Sequence, residues 1–193
     1  MGDGLVRCSW AGNDPAMVRY HDEEWGVPLH DDRKLFEYMV LDSFQSGLSW
    51  RIILNKRAGF DRAFRHFEPG VIVTYGPDDV ERLLKDENII RNRRKIEATI
   101  DNAKLVLDIQ AEHGSLSDFL WSFVNGEVEQ HRHESMDEIE ATSPESEIMS
   151  AALRKRGFKF FGPTVCYAFM QGAGLVNDHM TDCYRWEQLG GTR

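Results

Sequence analysis

Apolar residues recur at three- and four-residue intervals along almost the whole chain. In residues 31–47, for example, Leu35, Phe36, Met39 and Val40 fall on one face of a helix. No segment alternates polar and apolar residues over more than a few positions, and no repeat of solenoid length is present. The sequence therefore predicts a mainly α-helical fold, and 193 residues are enough to bury a sizeable core.

Capping residues divide this pattern into separate helices. Asp31 or Asp32 can cap a helix that Gly47 ends, and Ser49 can cap a short helix through residue 56. Residues 59–67 are interpreted as a further helix, which ends before a proline. The remaining helices are predicted at residues 76–84, 92 to about 111, 115–124, 143–157 and from 163 onward.

Charge is distributed unevenly along the chain. The net charge of −9 argues against a protein that coats nucleic acid or an anionic membrane. Residues 127–147, however, carry eight acidic side chains and one basic one, so most of the excess lies in one polar connecting segment. Basic clusters remain elsewhere and would attract a polyanion, although such clusters are more often solvated helix ends. They comprise Arg91, Arg93, Arg94 and Lys95, and Arg154, Lys155, Arg156 and Lys159.

The sequence carries no sign of membrane insertion or export. No run approaches the roughly 18–20 apolar residues that cross a bilayer, and the N-terminus lacks the apolar core of a signal peptide. We therefore expect a cytoplasmic protein without a membrane partner. The three cysteines are too few for a disulfide framework, which leaves metal binding or packing. Cys166 lies among apolar residues at helical spacing and is interpreted as a core residue.

A possible metal site is divided between the two ends of the chain. Its four members are Cys8, His21, His179 and Cys183, of which the last two are spaced so that one helical turn would place both on one face. Two thiolates and two imidazoles complete the tetrahedral coordination of Zn²⁺ and would tie the chain ends together as a structural site. A zinc hydrolase is the alternative, and it would require an open coordination position. His131 and His133 show no ligand spacing.

Four large aromatic residues stand among polar ones in the first fifty positions: Trp10, Tyr20, Trp25 and Trp50. Such side chains usually lie in a core, but a group of electron-rich faces also suits a flat cationic ligand such as an alkylated purine. Asp42 is the acidic residue within the apolar run 38–48. It either pairs locally or points into a pocket, and the spacing leaves both possibilities open.

Together, these stretches resemble the type I DNA-3-methyladenine glycosylases of the helix-hairpin-helix superfamily. The resemblance is carried, in one consistent order, by RCSW, DPAMVRYHDEEWGVPLHDDRKLFE, QSGLSW, IIRNRRKIEATIDNA, LWSFVNG, LRKRGFKFFGPTVCYAFMQGAGLVNDH and Cys183. It implies an all-α helix-hairpin-helix glycosylase fold, with residues 1–193 forming a single domain of two lobes. One lobe would be tied by zinc and formed by residues about 1–30 and 145–193, and the helix-hairpin-helix element would span about 83–103.

The resemblance also assigns roles to the candidate residues. Cys8, His21, His179 and Cys183 would bind one structural Zn²⁺, and Asp42 would be the catalytic carboxylate, which hydrogen-bonds the base and complements its charge. Trp10, Tyr20, Trp25 and Trp50 would form the pocket of the flipped base. Gly47 and Leu48, together with Arg91, Arg93, Arg94 and Lys95, would contact DNA.

The implied activity is monofunctional hydrolysis of the N-glycosidic bond of 3-methyladenine, which leaves an abasic site during base excision repair. The partner would be double-stranded DNA that contains alkylated purines, bound by a monomer with access to the bacterial nucleoid. A noncatalytic binder of alkylated bases or damaged DNA is the alternative. Three departures from the family pattern motivate it: Asp42 in place of glutamate, Ser43 and Phe44. Asn88 in place of glycine is a further, mild departure, because Asn tolerates a positive φ.

Overall fold

Helices form most of the computed structural model, which describes residues 4–192. The α-helices are α1 (Pro15–Glu23), α2 (Asp32–Gln45), α3 (Trp50–Ala63), α4 (Pro69–Ile72), α5 (Pro77–Lys85), α6 (Arg93–His113), α7 (Leu116–Trp121), α8 (Pro144–Arg156), α9 (Pro163–Gly172) and α10 (Tyr184–Gln188). Short 3₁₀ helices cover Ser9–Ala11, Arg65–Phe67, Ser122–Val124 and Met136–Glu138. The prediction of a mainly helical fold is confirmed. Residues 1–3 and 193, at the outer ends of the predicted lobe, lie outside the described residues.

Several helix ends are those that the sequence predicts. Asp31 caps α2 by accepting a hydrogen bond from the Lys34 amide at 2.8 Å, and Gly47 follows the helix with a φ of +85°. Ser143 and Gly157 likewise bound α8. Ser49 occupies the N-cap position of α3, but its side chain makes no capping hydrogen bond.

One predicted break is wrong, because α3 runs through Gly59 as a single helix. The reason is tertiary contact. A Cβ at Gly59 would lie 2.3 Å from the backbone oxygen of Asn88, in the turn between α5 and α6. Glycine therefore serves here for close approach of a helix to a turn and does not end the helix. The φ of Asn88 is not positive, so the backbone at this position does not require glycine.

A short parallel strand pair was not predicted. Strand β1 (Glu129–Gln130) pairs with β2 (Val176–Asn177), and an isolated bridge joins His133 to Met180. Two residues are too few for a period-two pattern to be visible in a sequence. The pairing attaches the acidic connecting segment to the C-terminal part of the chain.

Helix α2 lies in the centre of the core. Its residues 35–44 are all buried, and it packs against α3, α6, α7 and α9. This central position carries the polar side chain of Asp42 into the interior. Cys166 on α9 is fully buried, as expected for a core residue.

The two ends of the chain meet beside this core. The Tyr184 amide donates a hydrogen bond to the Val6 carbonyl at 3.0 Å, and the Gly26 amide donates one to the Gln171 carbonyl at 3.0 Å. The first contact joins a residue before α1 to the start of α10, and the second joins the segment after α1 to α9. None of the described helices is long and apolar enough to cross a lipid bilayer.

Candidate functional site

A cavity of about 310 Å³ opens where α1, α2, α3 and α9 meet. The structure brings all four aromatic candidates and Asp42 to its wall. Residues that the sequence analysis did not select complete the lining: Met17, Gln45, Met136, Ile139, Ala168 and Gln171. We refer to this space as the aromatic cavity.

The aromatic rings form a continuous wall. The ring centroids of Trp10 and Trp25 lie 5.0 Å apart in an edge-to-face arrangement, and those of Tyr20 and Trp50 lie 5.2 Å apart. Trp10 and Tyr20 connect the two pairs at 6.2 Å. Such a wall presents π faces to a planar guest and favours a positive charge on it.

An ion-pair network behind the cavity fixes the helices that carry these rings. Arg57 on α3 donates to Glu37 on α2 and to Glu24 at the end of α1, each at 2.6 Å. The Tyr38 hydroxyl donates to the same Glu24 carboxylate at 2.8 Å. The network locks α1, α2 and α3 in register, and therefore also fixes the positions of Tyr20, Asp42 and Trp50.

Two polar atoms of the cavity wall are buried without partners. Among the described residues, four buried side-chain nitrogen or oxygen atoms lack a hydrogen-bond partner, and Asp42 Oδ2 and Trp50 Nε1 are two of them. Burial raises the pKa of the Asp42 carboxyl well above its ordinary value. Unpaired buried polar groups are costly in a folded protein, so an acceptor and a donor in one cavity indicate a ligand that pairs with them.

The two residues after Asp42 do not line the cavity. Ser43 Oγ donates to the Met39 carbonyl at 2.8 Å, and the Phe44 ring packs against Phe60 with centroids 4.8 Å apart. Their departure from the family pattern therefore affects the core of α2. Of the three α2 residues that depart from the family pattern, Asp42 is the one that lines the cavity.

Gln171 is a polar cavity residue that sequence reasoning missed. Its Nε2 donates to Asp178 Oδ2 at 2.7 Å, and Asp178 is 1% exposed. Burial opposes ionisation of Asp178, but hydrogen bonds from His131, Gln171 and Tyr167 outweigh it and hold the pKa of this carboxyl below its usual range. The sequence shows Gln171 only as one amide side chain at the end of the apolar run of α9, and this position does not indicate which residue the amide contacts.

Cys8, His21, His179 and Cys183 form a buried cluster that could hold a metal ion, and we call it the cysteine–histidine cluster. Cys183 Sγ lies 3.4 Å from His21 Nε2 and 3.5 Å from His179 Nδ1, while Cys8 Sγ lies 3.5 Å from the same Nδ1. No member is more than 2% exposed. The predicted helical turn between His179 and Cys183 is wrong, because a non-helical turn leads into Cys183, the N-cap of α10.

The outward-facing nitrogens of this cluster have partners. His21 Nδ1 lies 2.8 Å from Asp22 Oδ1, and His179 Nε2 lies 3.1 Å from the Trp25 carbonyl. These contacts fix the ring orientations and leave the other nitrogens directed at the thiols, as outer partners of metal-binding histidines do. A hydrogen bond between the thiols raises the pKa of Cys8 and lowers that of Cys183.

A second group of possible ligands comprises His131, His133 and Asp178. His131 Nδ1 lies 2.5 Å from Asp178 Oδ1, and His133 Nε2 lies 3.3 Å from the same oxygen. The shorter separation is that of a direct hydrogen bond, since ligands of one metal ion stand more than 3 Å apart. This group therefore fastens the acidic connecting segment to the buried carboxylate.

The basic candidates fall into two environments. Arg91 and Arg93 are about half exposed and pair with nearby glutamates, and Arg94 lies over the Phe160 ring at 5.7 Å. Lys95 is instead buried, and its Nζ donates to the carbonyls of Phe44 and Ser46, each at 3.0 Å. A phosphate contact from Lys95 does not fit this placement.

The Lys95 contacts hold the segment that follows α2. Gly47 is exposed, with its left-handed backbone, and Leu48 is 36% exposed. This segment leads directly into Trp50 at the cavity wall. Residues predicted to meet DNA and residues predicted to hold the base are therefore adjacent.

Comparisons with known proteins agree with one another. The model of the methyladenine glycosylase family matches residues 10–186. The chain is 45% identical to DNA-3-methyladenine glycosylase 1 of Escherichia coli K12, over 93% of this chain and 96% of the relative. A crystal structure of 3-methyladenine DNA glycosylase I superposes with a TM-score of 0.90 at 47% identity, over 93% of this chain and 98% of that one. A tyrosine-to-phenylalanine variant of such an enzyme, in complex with 3-methyladenine, matches with a TM-score of 0.89 at 36% identity, over 92% and 96%.

Proposed function

The chain belongs to the methyladenine glycosylase family, and we propose that it removes 3-methyladenine from alkylated DNA in base excision repair. The observation that carries this proposal is the buried, unpartnered carboxyl of Asp42 in a cavity walled by aromatic rings. It is a monofunctional DNA glycosylase, a hydrolase of N-glycosidic bonds. Its substrate implies action in the cytoplasm, at the chromosomal DNA.

Recognition of the base follows from the polar and aromatic groups of the cavity. The flipped base enters between the rings of Trp10, Tyr20, Trp25 and Trp50, where its positive charge meets π faces. The base also supplies the countercharge that the buried Asp42 carboxyl lacks, and it offers hydrogen-bonding edges to Asp42 and Trp50. A damaged, weakly paired base costs least to extrude from the duplex, so selection begins before the cavity is reached.

Hydrolysis requires little proton transfer to the leaving group, because the base is already cationic in DNA. The bond between C1′ and the base breaks, and its electron pair neutralises the base. We assign to the carboxylate of Asp42 the stabilisation of the cationic base and of the positive charge that develops on the sugar. Water then adds to C1′ and loses a proton, which gives an abasic site. No lysine lines the described cavity, so water is the nucleophile that we assign.

The cysteine–histidine cluster fits one structural Zn²⁺. Tetrahedral zinc with Zn–N of about 2.05 Å and Zn–S of about 2.3 Å places N and S ligands about 3.6 Å apart. The N···S distances in the cluster are 3.4–3.5 Å. When bound, the ion supplies folding energy, and burial of all four ligands leaves no open position for hydrolytic chemistry.

DNA contact is assigned to two adjacent elements. Helices α5 and α6, with the turn at residues 86–92, form the helix-hairpin-helix element of about 83–103, whose amides and flanking Arg91, Arg93 and Arg94 approach the phosphates of double-stranded DNA. Gly47 and Leu48 enter the gap that the flipped base leaves. Lys95 positions this segment from within and does not contact DNA.

The same assignment divides the single domain into two lobes. Residues about 1–30 and 145–193 form the lobe that zinc ties together, and the helices between them form the other, with the aromatic cavity at the boundary. A cavity for one base needs no second subunit, so the enzyme acts as a monomer.

Release of 3-methyladenine from methylated DNA tests the proposal. The native protein should release the base, Asp42→Asn should weaken release, and Asp42→Glu should retain it. If the native protein binds 3-methyladenine but does not release it from DNA, while Asp42→Glu does, the chain is a noncatalytic binder of alkylated bases.

A further inference from the structure

Gln171 differs from the other polar residues of the aromatic cavity because a buried carboxylate fixes its amide. Its Nε2 donates to Asp178 Oδ2 at 2.7 Å, and Gln171 itself lines the cavity. The neighbouring acidic and indole groups, Asp42 Oδ2 and Trp50 Nε1, have no such partner among the described residues. The orientation of the Gln171 amide is therefore set before any ligand binds.

Asp178 is surrounded by donors. His131 Nδ1 approaches Oδ1 at 2.5 Å, His133 Nε2 approaches it at 3.3 Å, and the Tyr167 hydroxyl adds a further hydrogen bond. A carboxylate accepts hydrogen bonds and donates none, so the Gln171 amide can meet Asp178 only with its NH₂ group. The opposite end of the amide, Oε1, must then face away from Asp178.

The direction of Oε1 decides what this residue can recognise. Within residues 4–192, Oε1 of Gln171 accepts no hydrogen bond, and it is not among the inaccessible side-chain atoms that lack a partner. It is therefore an open acceptor on a residue that lines the aromatic cavity. An acceptor held in one orientation selects a donor and repels another acceptor.

We propose that Gln171 determines the base specificity of this site, with its Oε1 accepting a hydrogen bond from the exocyclic amino group of a 3-alkylated adenine. The proposal rests on the function proposed above. Guanine carries a carbonyl oxygen where adenine carries this amino group, so 3-methylguanine would set one acceptor against another. Asp178 is a positioning residue that prevents the amide from turning over, and His131 and His133 hold Asp178 from the opposite side.

The test measures selectivity on one substrate preparation. DNA methylated with a tritiated agent is incubated with each variant, and released 3-methyladenine and 3-methylguanine are separated by chromatography. Gln171→Met keeps the side-chain length but removes the acceptor. It should reduce release of 3-methyladenine about ten- to hundredfold, and the ratio of 3-methyladenine to 3-methylguanine should fall at least about tenfold.

Gln110→Met is the matched control. Gln110 Nε2 also donates to an aspartate, Asp32 Oδ2, at 2.7 Å, but Gln110 does not line the aromatic cavity. Its replacement should leave the ratio unchanged. If Gln171→Met lowers both products equally, or changes neither, the specificity role is wrong. If the native protein releases no 3-methyladenine, the proposed function itself fails, which is a different outcome.

Asp178→Asn tests the positioning role separately. An asparagine at this position can donate to Oε1, so the Gln171 amide is free to turn over and present its NH₂ group to the base. The ratio should shift toward 3-methylguanine, with the metal content unchanged at one ion per chain. An unchanged ratio in Asp178→Asn, combined with a lowered ratio in Gln171→Met, would show that Gln171 acts without this partner.

Discussion

The cysteine–histidine cluster and the aromatic cavity are neighbours, yet their polar groups are satisfied to different degrees. Trp25 lies between them, since its ring centroid is 4.5 Å from that of His179 and the residue lines the cavity. In the cluster, the outward nitrogens of both histidines have hydrogen-bond partners. In the cavity, Asp42 Oδ2 and Trp50 Nε1 have none among the described residues.

We infer from this difference that the cluster serves stability and that the cavity serves binding. Groups that are buried and fully paired hold the fold together, and removing one leaves its partners unsatisfied. Groups that are buried and unpaired cost stability in the free protein and recover it when a ligand arrives. The following variants test this distinction by changing paired groups and unpaired groups separately.

The largest effect is expected from the cluster. Cys183→Ser should abolish metal binding and lower the melting temperature by more than about 10 °C, because loss of a structural ion removes several kcal/mol of folding free energy. Metal analysis and thermal unfolding measure both changes. Cys166→Ser is the control, since Cys166 is equally buried but lies outside the cluster, and it should keep one ion per chain. Full metal content in Cys183→Ser would disprove the zinc assignment.

Loss of the cavity acid should act on catalysis and spare the fold. Asp42→Asn should reduce the rate of 3-methyladenine release about a hundredfold, because it removes the carboxyl group that can give up its proton and supply a negative charge beside the cationic base. Glu37→Gln, on the same helix, is the matched comparison: it breaks a 2.6 Å ion pair with Arg57 and should lower stability by about 3 kcal/mol. Single-turnover rates and denaturant unfolding distinguish the two, and a similar stability loss in both variants would contradict the comparison.

Two tryptophans provide a smaller contrast. Trp50→Phe removes the unpartnered indole N–H and should weaken binding of free 3-methyladenine about tenfold, with no loss of stability. Trp121 Nε1 donates to the Leu29 carbonyl at 2.8 Å, so Trp121→Phe should lower stability by about 1–3 kcal/mol and leave binding unchanged. Calorimetric titration and unfolding measure these changes, and the reverse pattern would show that the unpaired indole is not a recognition group.

The smallest effect concerns pH. The pKa of Asp42 is raised in the folded protein, so above pH of about 3.8 the unfolded chain loses a proton that the folded protein retains, and stability falls as pH rises toward the elevated pKa. Asp42→Asn has no such proton. Its melting temperature should therefore exceed that of the native protein by at least about 2 °C at pH 7, and the difference should vanish near pH 4. A difference that is constant from pH 4 to pH 8 would contradict burial of an unpaired acid.

The helical fold, the members of the cysteine–histidine cluster and the aromatic residues of the cavity could be predicted because their signals are local. Capping at Asp31 and Ser143 depends on the next three residues, and the aromatic and cysteine–histidine sets depend on residue type. The continuity of α3 through Gly59 could not be predicted, since it depends on Asn88 packing against that glycine. For the same reason, Lys95 was predicted to contact DNA, although its Nζ donates to the carbonyls of Phe44 and Ser46 at the end of α2.

The sequence by itself determined a helical chain, two cysteines and two histidines near its ends that could bind a metal, an aromatic set near its start and one acid within the apolar run 38–48. These features could be predicted because periodicity and side-chain chemistry are properties of individual residues and their spacing. Only the tertiary structure decided which polar groups find partners. Asp178 pairs with Gln171, His131 and His133 across as many as 47 residues of chain, whereas Asp42 Oδ2 has no hydrogen-bond partner among the described residues. Hydrogen-bond satisfaction depends on distances in space, and those distances exist only once the helices have packed.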